Sequence, residues 1–284
     1  MIINGKTKTV ALIGDPVEHS FSPFIHNYGF RVNDLNTVYV NHTVKKQDLR
    51  EAIQGIKALG YLGANITYPH KIKVMEYLDI VTKEASLIGA VNTIKNENGK
   101  LIGYNTDGSG FIYGLCQEGI EIENKTICIL GAGGAARSIV ISLCLKANCK
   151  VIICNRNIEK AEEIYHIVHN KRQDFIGTVT DVITPNQLDL TNIDILVNCT
   201  PVGMGEEKNL IPFEDRLNFN KNIIVCDLIY QPSETEFLKM GKNEGCRTYN
   251  GLDMLIGQAI LAFHIWTGKM LEFEEMKLNL PKNL

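Results

Sequence analysis

The segment Gly131-Ala132-Gly133-Gly134-Ala135-Ala136 has G-x-G-x-x-G/A spacing. It lies between a β-branched run, residues 125–130, and an apolar stretch, residues 135–145. That arrangement suits a pyrophosphate. Gly131 permits a tight turn, Gly133 lets backbone approach the phosphates, and the small Ala136 lets helix pack on strand. The helix N-terminus then offers its free N–H groups to the anion. The next apolar run, Lys150–Cys154, ends in Asn155-Arg156. This lies about 20 residues on, where an NAD site places Asp or Glu. With no carboxylate to repel a 2′-phosphate and an arginine to bind it, the pattern points to NADP rather than NAD. Lys160 is expected on the same helical face, four residues later, as a second cation. The plainer alternative is an ordinary βαβ crossover with a solvated arginine.

Polar clusters also follow predicted strands elsewhere. Ser20 and Ser22 are two hydroxyls in one loop, both able to point at a polyol or a carboxylate. Alternatively Ser22 caps the helix that Pro23 opens, and Ser20 is solvated. Asn65-Ile66-Thr67-Tyr68-Pro69-His70-Lys71 carries an amine one turn into a new segment. Taken singly, such a lysine reads as surface charge. Gly89-Ala90-Val91-Asn92-Thr93 and Gly103-Tyr104-Asn105-Thr106-Asp107-Gly108 bracket a hairpin, and each alone reads as a turn. Together, beside a nucleotide fold, the clusters fit a hydroxylated, anionic substrate.

The elements that must position these groups alternate between strand and helix, which implies an α/β fold with mostly parallel sheets. Strands are expected at residues 9–13, 37–44, 63–67, 125–130, 150–154, 194–199 and 222–228. A hairpin turns at Asn98-Gly99. Helices are expected to open at Ser22 and to cover residues 46–59, 108–118, 135–145 and 252–266. The last is long, apolar and followed by no strand, so it is expected to close the first domain. The fold class is then two α/β domains flanking a cleft, the second a Rossmann-type NADP-binding fold.

The 284 residues are 45% hydrophobic and 21% charged, as in a globular protein. A net charge of −3 argues against nucleic-acid and membrane-surface partners. No apolar run reaches the ~18 residues of a spanning helix, and the first 14 residues lack a signal peptide's pattern. Eight cysteines occur without a C-x-x-C pair, and no metal-ligand spacing is present. Cys128, Cys154, Cys199 and Cys226 fall on predicted strands, so reduced thiols in a cytoplasmic protein are expected.

In order along the chain these motifs resemble those of the shikimate dehydrogenase family. Ser20-Phe21-Ser22-Pro23-Phe24-Ile25-His26-Asn27 is similar to S-x-S-P-x-x-H-N, and Asn65 to Lys71 to N-[VI]-T-x-P-x-K. Gly89 to Thr93 resembles G-A-V-N-T, Asn105 to Gly108 N-T-D-G, and Gly131 to Ala135 G-A-G-G-A. Asn198-Cys199-Thr200-Pro201-Val202-Gly203-Met204 resembles N-x-T-P-x-G-M. Gly251-Leu252-Asp253-Met254-Leu255 with Gln258-Ala259 resembles the closing G-x-x-M-L-x-x-Q-A.

The resemblance implies NADP-dependent, reversible reduction of 3-dehydroshikimate to shikimate, with Lys71 and Asp107 as the catalytic pair. Ser20, Ser22, Thr67, Lys71, Asn92, Asp107, Tyr230 and Gln258 become substrate contacts. Gly131, Ala132, Gly133, Gly134 and Ala135 hold the pyrophosphate. Asn155, Arg156 and Lys160 take the 2′-phosphate, and Thr200, Leu228 and Gly251 lie near the nicotinamide. It further implies a substrate domain of residues 1–107 plus 249–284, an NADP domain of residues 108–248, and no metal. Homodimer assembly is compatible with it. Three positions depart from the family pattern: His70 beside the lysine, Asn157 in place of threonine, and Lys160 in place of arginine. Lysine cannot bind a phosphate in the bidentate manner of arginine. The alternatives are a quinate/shikimate dehydrogenase using NAD or NADP, and an inactive NADP-binding regulator.

Overall fold

The structure is a computed structural model that describes residues 3–213 and 217–280. The expected domain spans also take in residues 1–2, 214–216 and 281–284, which lie outside the described residues. Along the chain come β1 (Lys8–Gly14), α1 (Ser22–Val32), β2 (Thr37–Thr43), α2 (Leu49–Ala58), β3 (Gly63–Ile66), β4 (Ile80–Val81) and α3 (Lys83–Ile88). The hairpin β5 (Thr93–Glu97) and β6 (Lys100–Tyr104) follows, then α4 (Asp107–Gln117). Next are β7 (Thr126–Leu130), α5 (Gly134–Lys146), β8 (Lys150–Cys154), α6 (Ile158–Asn170), β9 (Thr178–Ile183), β10 (Ile195–Asn198), β11 (Ile224–Asp227), α7 (Glu236–Asn243) and β12 (Arg247–Tyr249). The helices α8 (Leu252–Thr267) and α9 (Phe273–Asn279) come last.

The chain divides into two compact units, one made of Met1–Gly110 and Ile256–Lys282, the other of Phe111–Leu255. Both divisions fall inside helices, α4 and α8, rather than at the expected breaks after residues 107 and 248.

In the first unit six strands form a mixed sheet in the order β2-β1-β3-β5-β6-β4. The strand β5 runs antiparallel to both β3 and β6. Its first residues therefore stand at the same edge as the carboxyl ends of β3 and β6. Asn98 and Gly99 take φ 54° and 86° at the hairpin turn, as an Asn-Gly pair readily does. One face of the sheet is closed by α2, whose buried Leu49, Ile53 and Ile56 recur at helical spacing. On the other face the late helix α8 returns: Phe263 meets Phe30 at 5.1 Å, and Trp266 Nε1 donates to the Ile94 carbonyl at 2.9 Å.

In the second unit all six strands are parallel, in the order β12-β11-β10-β7-β8-β9. Numbered within the unit this is the doubly wound order 3-2-1-4-5-6, whose ligand crevice lies at the switch point beside the first strand. The runs Thr126–Leu130 and Ile195–Asn198 are almost wholly buried, which suits strands covered on both faces.

Candidate active site

In the first unit the geometry centres on Lys71 and Asp107. Thr67 and Lys71 follow β3, and Asp107 opens α4 just beyond β6, so sheet pairing brings together residues 36 positions apart. Lys71 Nζ donates to Asp107 Oδ2 at 2.7 Å, with the two side chains 35% and 15% exposed. The amine is thus paired yet open to a small molecule. Asn92, which precedes antiparallel β5, donates through Nδ2 to the other oxygen of Asp107 at 2.7 Å. Thr67 is tied by its N–H to the Ile13 carbonyl at 2.9 Å, beside the end of β1.

Ser20 and Ser22 follow β1, but Ser22 is not the cap of α1. Phe21 holds that position, Ser22 is the first helical residue, and the Ser20 hydroxyl accepts from the Ser22 N–H at 3.2 Å. Gln258 lies on α8, where Gly110 and Gly257 let the backbones of α4 and α8 touch. His70 does not turn toward the lysine: its Nε2 sits 2.7 Å from the Val44 carbonyl, in the core.

In the second unit Gly131 follows β7 with φ 109° and packs against Cys199 and Thr200, just beyond β10. The expected turn is therefore placed at the topological switch point. A Cβ at Gly133 or Gly134 would meet only open space, so the first turn of α5 is bare. No side chain caps α5. A groove of about 560 Å³ is lined by Gly131, Ala132 and Gly133, by Asn155 and Arg156, and by Thr200 and Pro201. Among the described residues its lining holds Arg156 and no carboxylate. These residues fit a dinucleotide bearing a 2′-phosphate, because the lining joins the glycine turn before the uncapped start of α5 to an arginine.

Lys160 does not share a helical face with Arg156. The helix α6 begins only at Ile158, with Asn157 as its cap accepting from the Lys160 N–H at 3.1 Å. Both cations are exposed. Asn155 spends its amide on the Asn157 carbonyl at 2.7 Å.

Leu228 and Tyr230 follow β11, and Tyr230 is half-buried, which pushes its phenol up. At Gly251 the absent Cβ admits the Leu228 carbonyl. Sequence reasoning assigned nothing to Thr184, Pro185, Asn186 and Phe213, which also line the groove. They belong to loops whose positions depend on β9 and on the segment after β10.

Sequence reasoning also passed over buried Asp227. Its Oδ1 accepts from Asn198 Nδ2 at 3.1 Å and from the Ile229 N–H at 3.0 Å, and its Oδ2 accepts from Thr235 Oγ1 at 2.6 Å. Burial pushes this carboxyl up, and those three bonds oppose the shift. Asn198 Oδ1 in turn accepts from the N–H and hydroxyl of Thr200, at 3.0 and 2.7 Å. The loops at the ends of β10 and β11 are thereby fixed to each other.

The doubly wound sheet and the glycine turn at its switch point define a dinucleotide-binding α/β protein. A lysine–aspartate pair stands just beyond β3 and β6 of the mixed sheet in the first unit. Family models confirm the assignment over most of the chain. "Shikimate dehydrogenase substrate binding domain" matches residues 12–94, "Shikimate / quinate 5-dehydrogenase" residues 115–202, and "Shikimate 5'-dehydrogenase C-terminal domain" residues 251–277. The shikimate dehydrogenase (NADP(+)) of Alkaliphilus metalliredigens is 45% identical over 97% of this chain and 96% of its own. A crystal structure of a shikimate dehydrogenase in complex with NADP+ is 46% identical, with a TM-score of 0.89 over 98% of this chain and 96% of that one. The shikimate 5-dehydrogenase of Listeria monocytogenes, solved with shikimate and NAD, is 32% identical, with a TM-score of 0.92 over 98% of both chains. The chain belongs to the shikimate dehydrogenase family.

Proposed function

We propose that this protein interconverts 3-dehydroshikimate and shikimate with NADP as redox partner, the step that serves chorismate and aromatic amino-acid biosynthesis. The observation that carries this reading is the Lys71–Asp107 pair at 2.7 Å, with Asn92 on the second carboxylate oxygen. When bound, NADPH supplies the hydride that converts the ketone to an alkoxide. The task of this chain's residues is the proton. The Lys71 ammonium stabilises the developing charge and donates a proton to that oxygen. In the oxidative direction the neutral amine accepts the hydroxyl proton. Asp107 holds the amine through Oδ2.

Ser20, Ser22, Thr67, Asn92 and Gln258 offer neutral bonding groups suited to a carboxylate and a ring of hydroxyls, with Tyr230 as a further contact. Gly131 to Ala135 would hold the pyrophosphate, and Asn155, Arg156 and Lys160 the 2′-phosphate. Thr200, Leu228 and Gly251 would flank the nicotinamide. The first unit serves as substrate domain and the second as NADP domain. We place the protein in the cytoplasm and propose a homodimer.

The test follows absorbance of the reduced nicotinamide with purified protein, crossing shikimate and quinate with NADP and NAD. Shikimate with NADP should be turned over, at an efficiency at least about tenfold above quinate, because a site built for specific hydroxyls penalises a poor match. Comparable efficiencies would move the protein to the quinate-using branch. Binding of NADP without turnover of either acid would make it a nucleotide-binding regulator.

A further inference from the structure

Behind Asp107 the first unit carries a file of buried hydrogen bonds that the chemistry so far leaves unused. Tyr39 Oη donates to Asn65 Oδ1 at 2.7 Å. Asn65 Nδ2 donates to Thr93 Oγ1 at 3.0 Å and to the Asn92 carbonyl at 3.2 Å. Thr93 Oγ1 donates to Asn92 Oδ1 at 2.9 Å. Asn92 Nδ2 donates to Asp107 Oδ1 at 2.7 Å, and Lys71 closes the file on Oδ2. Tyr39, Asn65, Asn92 and Thr93 are all buried, Thr93 completely.

The donors form a single directed series. Asn65 must turn its oxygen to the phenol and its nitrogen to Thr93. With one acceptor already taken up, the Thr93 hydroxyl proton goes to Asn92 Oδ1. That oxygen also accepts the Thr106 N–H at 2.9 Å. The Asn92 amide is therefore held with its nitrogen toward Asp107 and Thr106 Oγ1, at 2.7 and 2.9 Å. A flipped amide would set oxygen against a carboxylate, which repels it. Pairing of β3 with β5 places Asn65 opposite Thr93, so the register of the sheet builds the series.

We infer that Thr93 is a positioning residue. Its hydroxyl bonds Asn65 and Asn92 rather than Lys71 or Asp107, and it acts by fixing the amide of Asn92, which aims the Asp107 carboxylate at the Lys71 amine. Tyr39 and Asn65 set the direction of its hydroxyl. The role of the pair itself rests on the function proposed above; the geometry of the series does not.

The test uses the full chain with Thr93→Val, which keeps the shape and removes the hydroxyl, and Thr93→Ser, which keeps the hydroxyl. The valine variant should lose about tenfold in kcat, the effect of one hydrogen bond to a buried network, with KM for NADP within about twofold. The serine variant should recover kcat to within about threefold. In parallel, the Asn92 side-chain amide signals, followed by NMR in the free protein, should move in the valine variant and stay in place in the serine variant. Should the valine variant fail to fold, Thr93→Ala puts the same question with less steric demand. A hydroxyl-free variant that keeps its kcat and its Asn92 signals would overturn the inference. So would a serine variant as slow as valine, which would assign the effect to packing of the methyl group. If the unchanged protein does not oxidise shikimate, the proposed function fails, and the amide signals alone decide the inference.

Discussion

The Lys71 amine gives the sharpest residue-level expectation. Lys71→Ala should lower shikimate turnover by about two to four orders of magnitude, the usual range for a lost acid–base group, while shikimate affinity changes far less. Near-full turnover in this variant would remove the lysine from the proton transfer. Arg156 stands in a groove whose described lining residues include no carboxylate. Arg156→Ala should weaken NADP binding by about 10- to 100-fold, as expected for a charge-assisted bond to phosphate, and leave NAD almost untouched. Equal losses for the two cofactors in a titration would show that the arginine does not read the phosphate. His26 has a different consequence. It is fully buried between Tyr39, stacked at 4.6 Å, and Trp266 at 5.0 Å, and neither ring nitrogen has a hydrogen-bond partner among the described residues. Burial lowers its pKa to about 3; Asn65 lies near enough to offset part of this, although its geometry falls short of a bond. In the unfolded chain the ring takes a proton near pH 6.5, and in the folded chain it does not. Stability is therefore present above that pH and is lost as pH falls toward the folded value, by about 1.4 kcal/mol per pH unit. Urea unfolding between pH 7 and 5 should show this slope, reduced in His26→Phe. An unchanged slope would assign the acid sensitivity elsewhere. At this scale the sequence displayed the Lys71–Asp107 pair and the glycine turn at Gly131, because their motifs are local. Tyr39, Asn65 and Thr93 went unassigned because their contacts depend on strand register rather than on spacing along the chain.

At the scale of elements, glycine at position 63 in β3 is a condition for the return of α8. A Cβ there would overlap the Ile94 carbonyl and press on the Trp266 indole nitrogen at 2.6 Å. Gly63→Ala should therefore break the Trp266–Ile94 bond and destabilise the first unit by about 2–4 kcal/mol, the range of overpacking combined with an unsatisfied buried group. A shift of the urea midpoint corresponding to less than about 1 kcal/mol would mean that the helix moves aside at little cost. The buried parallel strands were legible because continuous β-branched runs have few other uses, and Asn98-Gly99 marked its hairpin. Three strands were missed for physical reasons. Ile80–Val81 is only two residues long, the run Thr178–Ile183 mixes exposed polar with buried residues and contains Asp181, and Arg247–Tyr249 is only three residues long. Helix starts were also misjudged. Phe21 rather than Ser22 precedes α1, and α6 begins after Arg156, because capping depends on backbone angles that composition does not report.

At the scale of the molecule, Trp266 is the only tryptophan, and it belongs to the first unit. Its fluorescence reports that unit alone, whereas circular dichroism follows both. Shikimate at about 100 times its dissociation constant should stabilise whatever binds it by about 2.7 kcal/mol. If the first unit is the substrate domain, the fluorescence-detected midpoint of thermal unfolding should rise. A midpoint unmoved by saturating shikimate would place the substrate elsewhere. The two-unit organisation was legible in the long apolar stretch with no strand after it, since such a helix needs a sheet face already built. The points of division were not, because α4 and α8 are each continuous across them.

The return of α8 to a sheet laid down at the start of the chain sets an order of events during synthesis. Residues 111–255 are consecutive and can complete their core as soon as they have left the ribosome. The sheet made before them cannot, because Phe30, Tyr39 and Gly63 await Phe263 and Trp266, which are translated more than 200 residues later. At 5–20 residues per second this is a wait on the order of 10–50 s. During it, the sheet face that receives α8 is covered by α1 but not yet by α8. The younger part of the polypeptide finishes first, and the older part keeps apolar surface open until α8 arrives.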